Sequence, residues 1–250
     1  MAFFAKWLEK FRKATAEYGY LCDSCGKEIF TYPVYRFCEE CESKMPRPQT
    51  KFCPKCGRET ITDGICLDCK SNPPKFEQGI VPFVYRGKAA SLVNRMKNGS
   101  PRLALYFGEE MGRAFAAQYK GNAAQPLLVV PVPMTEKAKK ERGYNQAERL
   151  AEAVCTELNK LGFQAEQDNE VLEKRRETAQ QKHMDFRSRA DNVAGAYHVH
   201  KRNACKEKII LLIDDIMTTG ATSGECTLRL LGAGASSVYF LAAVALAERK

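Results

Sequence analysis

The segment from Lys208 to Thr222 constrains the fold more than any other. It reads Lys-Ile-Ile-Leu-Leu-Ile-Asp-Asp-Ile-Met-Thr-Thr-Gly-Ala-Thr. Its apolar run, ending at Ile213, has strand length and no polar alternation, as expected of a strand covered on both faces. Two carboxylates, Asp214 and Asp215, follow at the C-terminal end, then Thr218, Thr219, Gly220, Ala221 and Thr222, then a helix-like pattern. Glycine lets a backbone approach a phosphate, and the free N–H groups of a helix start favour its charge. Carboxylates at a strand end can accept hydrogen bonds from ribose hydroxyls, and open α/β sheets place their ligands there. A buried strand leading to a capped helix has no need of an acid pair, so the segment reads as a sugar-phosphate site.

The rest of residues 76–250 alternates strand and helix. Strands are expected at Gly79–Tyr85, Leu127–Val132 and Ser237–Leu246, with helices at Ala89–Lys97, Arg102–Tyr119, Asn145–Leu161 and Thr222–Leu231. In the second helix Leu105, Met111 or Gly112, and Phe115 are expected to face inward. In the third, Ala147, Leu150, Ala151, Val154, Leu158 and Leu161 form one stripe. The fold class is α/β: an open, mostly parallel, doubly wound sheet with helices on both faces.

Two polar segments are expected to meet the acid pair. Beyond the strand ending Pro131-Val132-Pro133, four basic residues (Lys137, Lys139, Lys140, Arg142) lead into Gly143-Tyr144-Asn145-Gln146. This stretch is read as a loop in which Arg142 and the amides around Gly143 hold pyrophosphate oxygens. The second segment, Lys174 to Val193, is basic and lacks apolar periodicity. Arg176, Thr178 and Gln181 are candidates to close over bound phosphates.

Eight of eleven cysteines form four Cys-x-x-Cys pairs: Cys22/Cys25, Cys38/Cys41, Cys53/Cys56 and Cys66/Cys69. The spacing suits closed four-thiolate sites for two structural Zn²⁺ ions, with an iron–sulfur cluster as competitor. Sequential pairing gives one site from the first four and one from the last four; interleaved pairing is the alternative. Residues 20–70 then form a double zinc ribbon, 71–75 a linker, and 1–19 an amphipathic helix. No apolar run is long enough to span a membrane. Three further single cysteines and no export signal indicate a cytoplasmic location. The chain carries a net charge of +9. Residues 1–75 hold 13 Lys+Arg against 10 Asp+Glu and residues 76–250 hold 26 against 20, so most of the excess belongs to the larger domain.

The Lys208–Thr222 segment resembles the phosphoribosyl pyrophosphate (PRPP) signature of type I phosphoribosyltransferases. More specifically, the four Cys-x-x-Cys pairs, Arg142-Gly143-Tyr144-Asn145-Gln146, Arg176-x-Thr178-x-x-Gln181 and Arg189-x-x-Asn192-Val193 resemble the ComF family of competence-associated proteins. Lys97 matches a lysine that such proteins carry after the first helix. The resemblance implies a type I phosphoribosyltransferase fold that binds PRPP with Mg²⁺. Asp214 and Asp215 would hold the ribose hydroxyls, residues 218–222 the 5′-phosphate, residues 134–143 the pyrophosphate, and residues 175–181 the lid. It leaves two functions open. One is transfer of phosphoribosyl to an unknown acceptor. The other is a PRPP-sensing, single-stranded-DNA-binding accessory role alongside other competence proteins, drawing on Lys137, Lys139, Lys140, Arg175, Arg176, Lys182 and Tyr144.

Overall fold

The computed structural model describes residues 21–29, 37–48, 51–61, 63–176 and 193–248. The expected N-terminal helix lies outside them. The chain divides into two compact units, 1–46 and 47–250. That boundary falls between the two cysteine ribbons rather than at residues 71–75, so the second ribbon belongs to the larger unit. Among its described residues the first unit contains one short helix, α1 (Glu39–Ser43).

The larger unit opens with α2 (Leu67–Ser71), then β1 (Gly79–Ile80) and β2 (Phe83–Val84). The single strand expected over 79–85 is broken in two; Pro82, which has no N–H to donate, stands in the gap. Next come α3 (Gly87–Lys97), α4 (Leu103–Gln118), β3 (Leu127–Pro131), α5 (Glu136–Arg142), α6 (Gln146–Lys160) and β4 (Ala165–Gln167). A hairpin-like pair, β5 (Leu172–Lys174) and β6 (Tyr197–Val199), is followed by α7 (Arg202–Cys205), β7 (Ile209–Met217), α8 (Ala221–Gly232) and β8 (Ser237–Ala245).

The main sheet runs β1-β8-β7-β3-β4, with β2 also on β8, and every pairing in it is parallel. β3 and the first five residues of β7 are buried throughout, as their unbroken apolar sequences require. One face is covered by α4 and α6, which pack on each other and on the strands. The other carries α8, the β5–β6 pair and the second ribbon in one continuous core. In α4 the buried side is Leu103, Ala104, Phe107, Met111 and Phe115, whereas Leu105 is exposed, contrary to the expected phase. Leu161 likewise lies exposed at the end of α6.

The second ribbon is seated on the sheet by backbone contact. A Cβ on Gly57 would lie 2.5 Å from the Gly79 carbonyl oxygen, so only glycine admits this approach. The Gly79 N–H donates to the Lys55 carbonyl at 2.8 Å, and Phe76 stacks on Phe240 with centroids 5.5 Å apart. At the far end of the chain, the Glu248 carboxylate accepts from the Ile61 and Leu67 N–H groups.

Candidate functional site

From β3 the chain moves outward to β4, and from β7 it moves the other way to β8, so the strand order reverses between β3 and β7. A crevice opens at such a reversal, beyond the carboxyl ends of the strands. β3 ends at Pro131, paired with Ile213, while β7 continues beside β8 to Met217. Asp214 and Asp215 are therefore the first β7 residues past the end of β3, at a step in the sheet. Each is partly exposed.

The pair is electrostatically strained. Burial and the adjacent Asp215 charge push the Asp214 carboxyl up from 3.8 to about 7, opposed by the Asp215 N–H, Lys97 and Lys174. The Asp215 N–H donates to Asp214 Oδ1 at 2.8 Å. Lys97 Nζ lies 3.0 Å from Asp215 Oδ2. Lys97, the last residue of α3, is held from the turn between α5 and α6. Tyr144 Oη donates to the Met96 carbonyl, and Gln146 Nε2 donates to the Lys97 carbonyl at 3.4 Å. Gln146 Oε1 in turn accepts from Arg142 at 3.0 Å. Arg142, Gln146, Lys97 and Asp215 thus form one connected row.

The basic segment between β3 and this row is a helix rather than the expected loop. Thr135 Oγ1 caps α5 by accepting from the Ala138 N–H, and Gly143, at φ 85°, ends it. Asn145 caps α6 through the Ala147 N–H and donates to the Val132 carbonyl at 3.1 Å, fixing the turn to the end of β3.

After Met217 the chain passes through Thr218 and Thr219 to Gly220, whose φ of 82° places it in the left-handed region at the N-cap of α8. Ser223 Oγ donates to the Gly220 carbonyl and the Ala221 N–H to Thr219 Oγ1, keeping the turn compact. Two carbonyls of the approach are bonded on the ribbon and C-terminal side: Met217 accepts from the Leu246 N–H at 3.0 Å, and Thr218 from Arg58 Nη2 at 2.7 Å.

The eight paired cysteines form two clusters, Cys22/Cys25/Cys38/Cys41 and Cys53/Cys56/Cys66/Cys69, with all sulfurs in each cluster within 4.8 Å of one another. Pairing is therefore sequential. Cys25 and Cys38 sulfurs are 3.8 Å apart, and Cys56 and Cys66 sulfurs 3.7 Å, which matches the edge of a tetrahedron with metal–sulfur bonds of about 2.3 Å. The Cys38 N–H points at Cys22 Sγ and the Cys66 N–H at Cys53 Sγ, bonds that suit thiolates. In the second cluster the Cys69 thiol donates to Cys56 and draws it down to about 5, which raises Cys69 itself. Four buried sulfurs sharing so little charge form a donor set that a divalent cation completes.

No family model matches the chain. Competence protein ComFC of Bacillus subtilis (strain 168) is 25% identical over 216 residues, 81% of this chain and 83% of its own length. Competence protein F of Haemophilus influenzae is 23% identical over 89% of this chain and 90% of its own. The chain is similar to these ComF-type proteins over more than four fifths of its length. A DNA utilization protein YhgH of Escherichia coli (strain K12) aligns at 25% identity, covering 80% of this chain and 86% of the relative. Among solved structures, the glutamine PRPP amidotransferase from B. subtilis with ADP and GMP matches at 20% identity and a TM-score of 0.32. It covers 56% of this chain, which spans about a quarter of that enzyme's length (26%), a superposition too loose to assign a ligand.

The fold gathers Asp214, Asp215 and Lys97 at the switch point. It sets Arg142 and Gly143 at one side and residues 218–222 on the continuation of β7. Arg176 lies two residues past β5, where its guanidinium donates to the Ala194 carbonyl at 2.9 Å. Thr178, Gln181, Lys182, His183, Arg189 and Asn192 lie outside the described residues. Three contributors were not foreseen. Lys174 tempers the Asp214 charge. Tyr197, buried with Thr222, Cys226 and Asp214 as neighbours, has its hydroxyl pushed up by burial. Arg58 reaches Thr218 from the ribbon. Cys155 Sγ donates to the Ala165 carbonyl at 3.0 Å. Among the described residues, no helix is long and apolar enough to cross a membrane.

Proposed function

We propose that this protein binds PRPP with Mg²⁺ and transfers its phosphoribosyl group to an acceptor, releasing pyrophosphate. The observation that carries this reading is the acid pair at the strand-order reversal, held by Lys97 and continued directly into a glycine-capped helix start. Ribose hydroxyls donating to Asp214 and Asp215 would replace the water that the crowded pair cannot fully recruit. The amides of residues 218–222 would take the 5′-phosphate at the N-terminus of α8. Arg142 and the turn at Gly143 face the departing pyrophosphate. Mg²⁺ would neutralise pyrophosphate charge, held largely through water. In the displacement, the bond from the anomeric carbon to pyrophosphate breaks and a bond to the acceptor forms, with the acceptor's proton released. The side chains contribute by positioning and by stabilising the leaving charge. Zn²⁺ in both four-cysteine sites would be structural, since four thiolates leave no position for water. Sites that depend on reduced thiols agree with a cytoplasmic protein.

The names of its relatives favour a role in DNA uptake or utilization, and single-stranded DNA is the second ligand to weigh. Lys137 and Lys140 are exposed on α5. The adjoining groove, about 540 Å³, sets Lys139 and Arg149 against Glu148 and Glu152, so its charge is balanced, and Tyr144 spends its hydroxyl on the Met96 carbonyl. The groove therefore favours a small ligand over a polyanion.

The test is a calorimetric titration of PRPP with Mg²⁺ into the metal-loaded protein and its Asp214→Asn/Asp215→Asn variant. Micromolar binding lost in the variant supports the reading. A folded parent that ignores PRPP but binds oligonucleotide with a steep salt dependence would replace it with the DNA-binding role.

A further inference from the structure

The guanidinium of Arg58 occupies an unusual position. Arg58 follows Cys56-Gly57 in the second ribbon and is only 4% exposed. Its backbone is fixed by the metal-site hairpin, since the Cys53 N–H donates to the Arg58 carbonyl at 2.9 Å. Nη1 donates to Asp68 Oδ2 at 2.5 Å, and Asp68 lies next to Cys69 in α2. Nη2 crosses 160 positions of sequence to donate to the Thr218 carbonyl at 2.7 Å. The remaining donor, Nε, is buried without a partner. A buried arginine with an unspent donor is costly, and a carbonyl on a loop could instead have been left to water. The position makes sense if the loop conformation itself is what the arginine secures.

The consequence follows from peptide geometry. In a planar trans peptide the C=O and N–H point in opposite directions. A Thr218 carbonyl directed at Arg58 turns the Thr219 N–H away from the ribbon. The preceding peptide is fixed separately, because the Met217 carbonyl accepts from the Leu246 N–H just past β8. Both peptides ahead of the Gly220 cap are thereby held, the second of them by Arg58. A rotated 218–219 peptide would present a carbonyl oxygen to the phosphate and repel it.

We propose that Arg58 is a positioning residue for the phosphate loop, holding the Thr218–Thr219 peptide with its N–H toward the ligand. The second four-cysteine site and ligand affinity are consequently coupled. This rests on the phosphate-site reading given above. Metal in the Cys53/Cys56/Cys66/Cys69 site fixes the hairpin that carries Arg58, and Arg58 fixes the loop. By linkage, ligand bound at the loop must also tighten the affinity of that site for its metal.

The experiment uses the full, metal-loaded chain with Arg58→Met, Arg58→Lys and Asp68→Asn. Loss of one charge-assisted hydrogen bond predicts about tenfold weaker PRPP–Mg²⁺ binding for Arg58→Met, with two metal equivalents retained. Arg58→Lys recovers part of it, because a single ammonium can reach the Thr218 carbonyl without spanning to Asp68. Asp68→Asn gives a smaller loss. In equilibrium competition with a graded chelator, followed by a chromogenic metal indicator, PRPP raises the affinity for one of the two metals in the parent and for neither in Arg58→Met. Unchanged affinity in Arg58→Met overturns the proposal. If Arg58→Met loses its metal, Arg58→Lys and Asp68→Asn decide it: full parental affinity in both refutes it. If the parent itself does not bind PRPP, the functional reading fails separately. The Arg58 role is then read from the Thr218 and Thr219 amide resonances of the ligand-free protein, which shift in Arg58→Met if the arginine sets the peptide and stay in place if it does not.

Discussion

Asp214→Asn separates what the acid pair costs in stability from what it provides in binding. In the folded chain the Asp214 carboxyl is pushed up from 3.8 to about 7, chiefly by burial and then by Asp215. Because the folded value lies above the unfolded one, the native state keeps a proton that the unfolded chain gives up between those two pH values. Stability therefore falls as pH rises through that window, by at most about 1.4 kcal/mol per pH unit, and levels off above pH 7. The ceiling over the whole window is about 4 kcal/mol; partial exposure and coupling to Asp215 bring the working figure to about 2 kcal/mol. Asparagine carries no charge in either state and keeps the oxygen that accepts from the Asp215 N–H. The variant should be more stable than the parent by about 2 kcal/mol at pH 8 and by less than about 0.5 kcal/mol at pH 4.5. Urea unfolding of metal-loaded protein across pH 4.5 to 8 measures this directly. Parallel stability curves would refute it, because Asp214 would then ionise in the folded protein as it does in the unfolded chain. The same variant should lose PRPP–Mg²⁺ binding, so stability and affinity move in opposite directions.

The remaining perturbations probe the frame around the pair. Gly220→Ala puts a side chain at φ 82° and should cost about 1–2 kcal/mol in urea unfolding while weakening PRPP; unchanged values in both would remove the loop from the site. Gly57→Ala forces a Cβ to within 2.5 Å of the Gly79 carbonyl and should destabilise the larger unit by about 2 kcal/mol or more, read from the urea midpoint. Lys97→Met strips Asp215 of its cation, and should weaken PRPP binding while raising the pH at which the acid pair ionises, followed by carboxyl carbon resonances. Exhaustive chelation should release two metal equivalents and unfold the four-cysteine ribbons, seen as loss of dispersed amide resonances from residues 21–29 and 51–61; a release other than two would refute the assignment of both clusters.

The parts of the fold read correctly from sequence are those whose physics is local. β3 and the first five residues of β7 are continuous apolar runs, which betray burial on both faces, while β7 itself runs on through the acid pair to Met217 before the Thr-Thr-Gly turn. α5 was misread as a loop because it buries no side chain and so shows no apolar period. Its cues were Thr135 ahead of it and Gly143 behind, a start and a stop signal without a stripe between. Leu105 was assigned inward because the helix phase was set on its neighbours. The helix turns Leu103, Ala104, Phe107 and Met111 to the core instead. β4 and β5 have three residues each, too few for periodicity to speak.

The larger gap concerns contacts that cross the chain. Cysteine spacing defines a metal site but is silent on what the site packs against, so the second ribbon looked like half of a separate module. Gly57 and Gly79 carried the cue, each needing to be bare because of the other, and neither could say so alone. Arg58 had no cue at all: one arginine among many charges acquires meaning from a carbonyl 160 residues away. The acid pair shows the same division. Its identity is legible in two letters, but its strain comes from burial where β3 ends and from the adjacent charges, and it is tempered by Lys97 at the close of α3 and Lys174 at the end of β5. The order of the acid pair is thus written locally, while its electrostatics and the course of the loop after it are set by elements and a cysteine ribbon that meet it only in the folded chain.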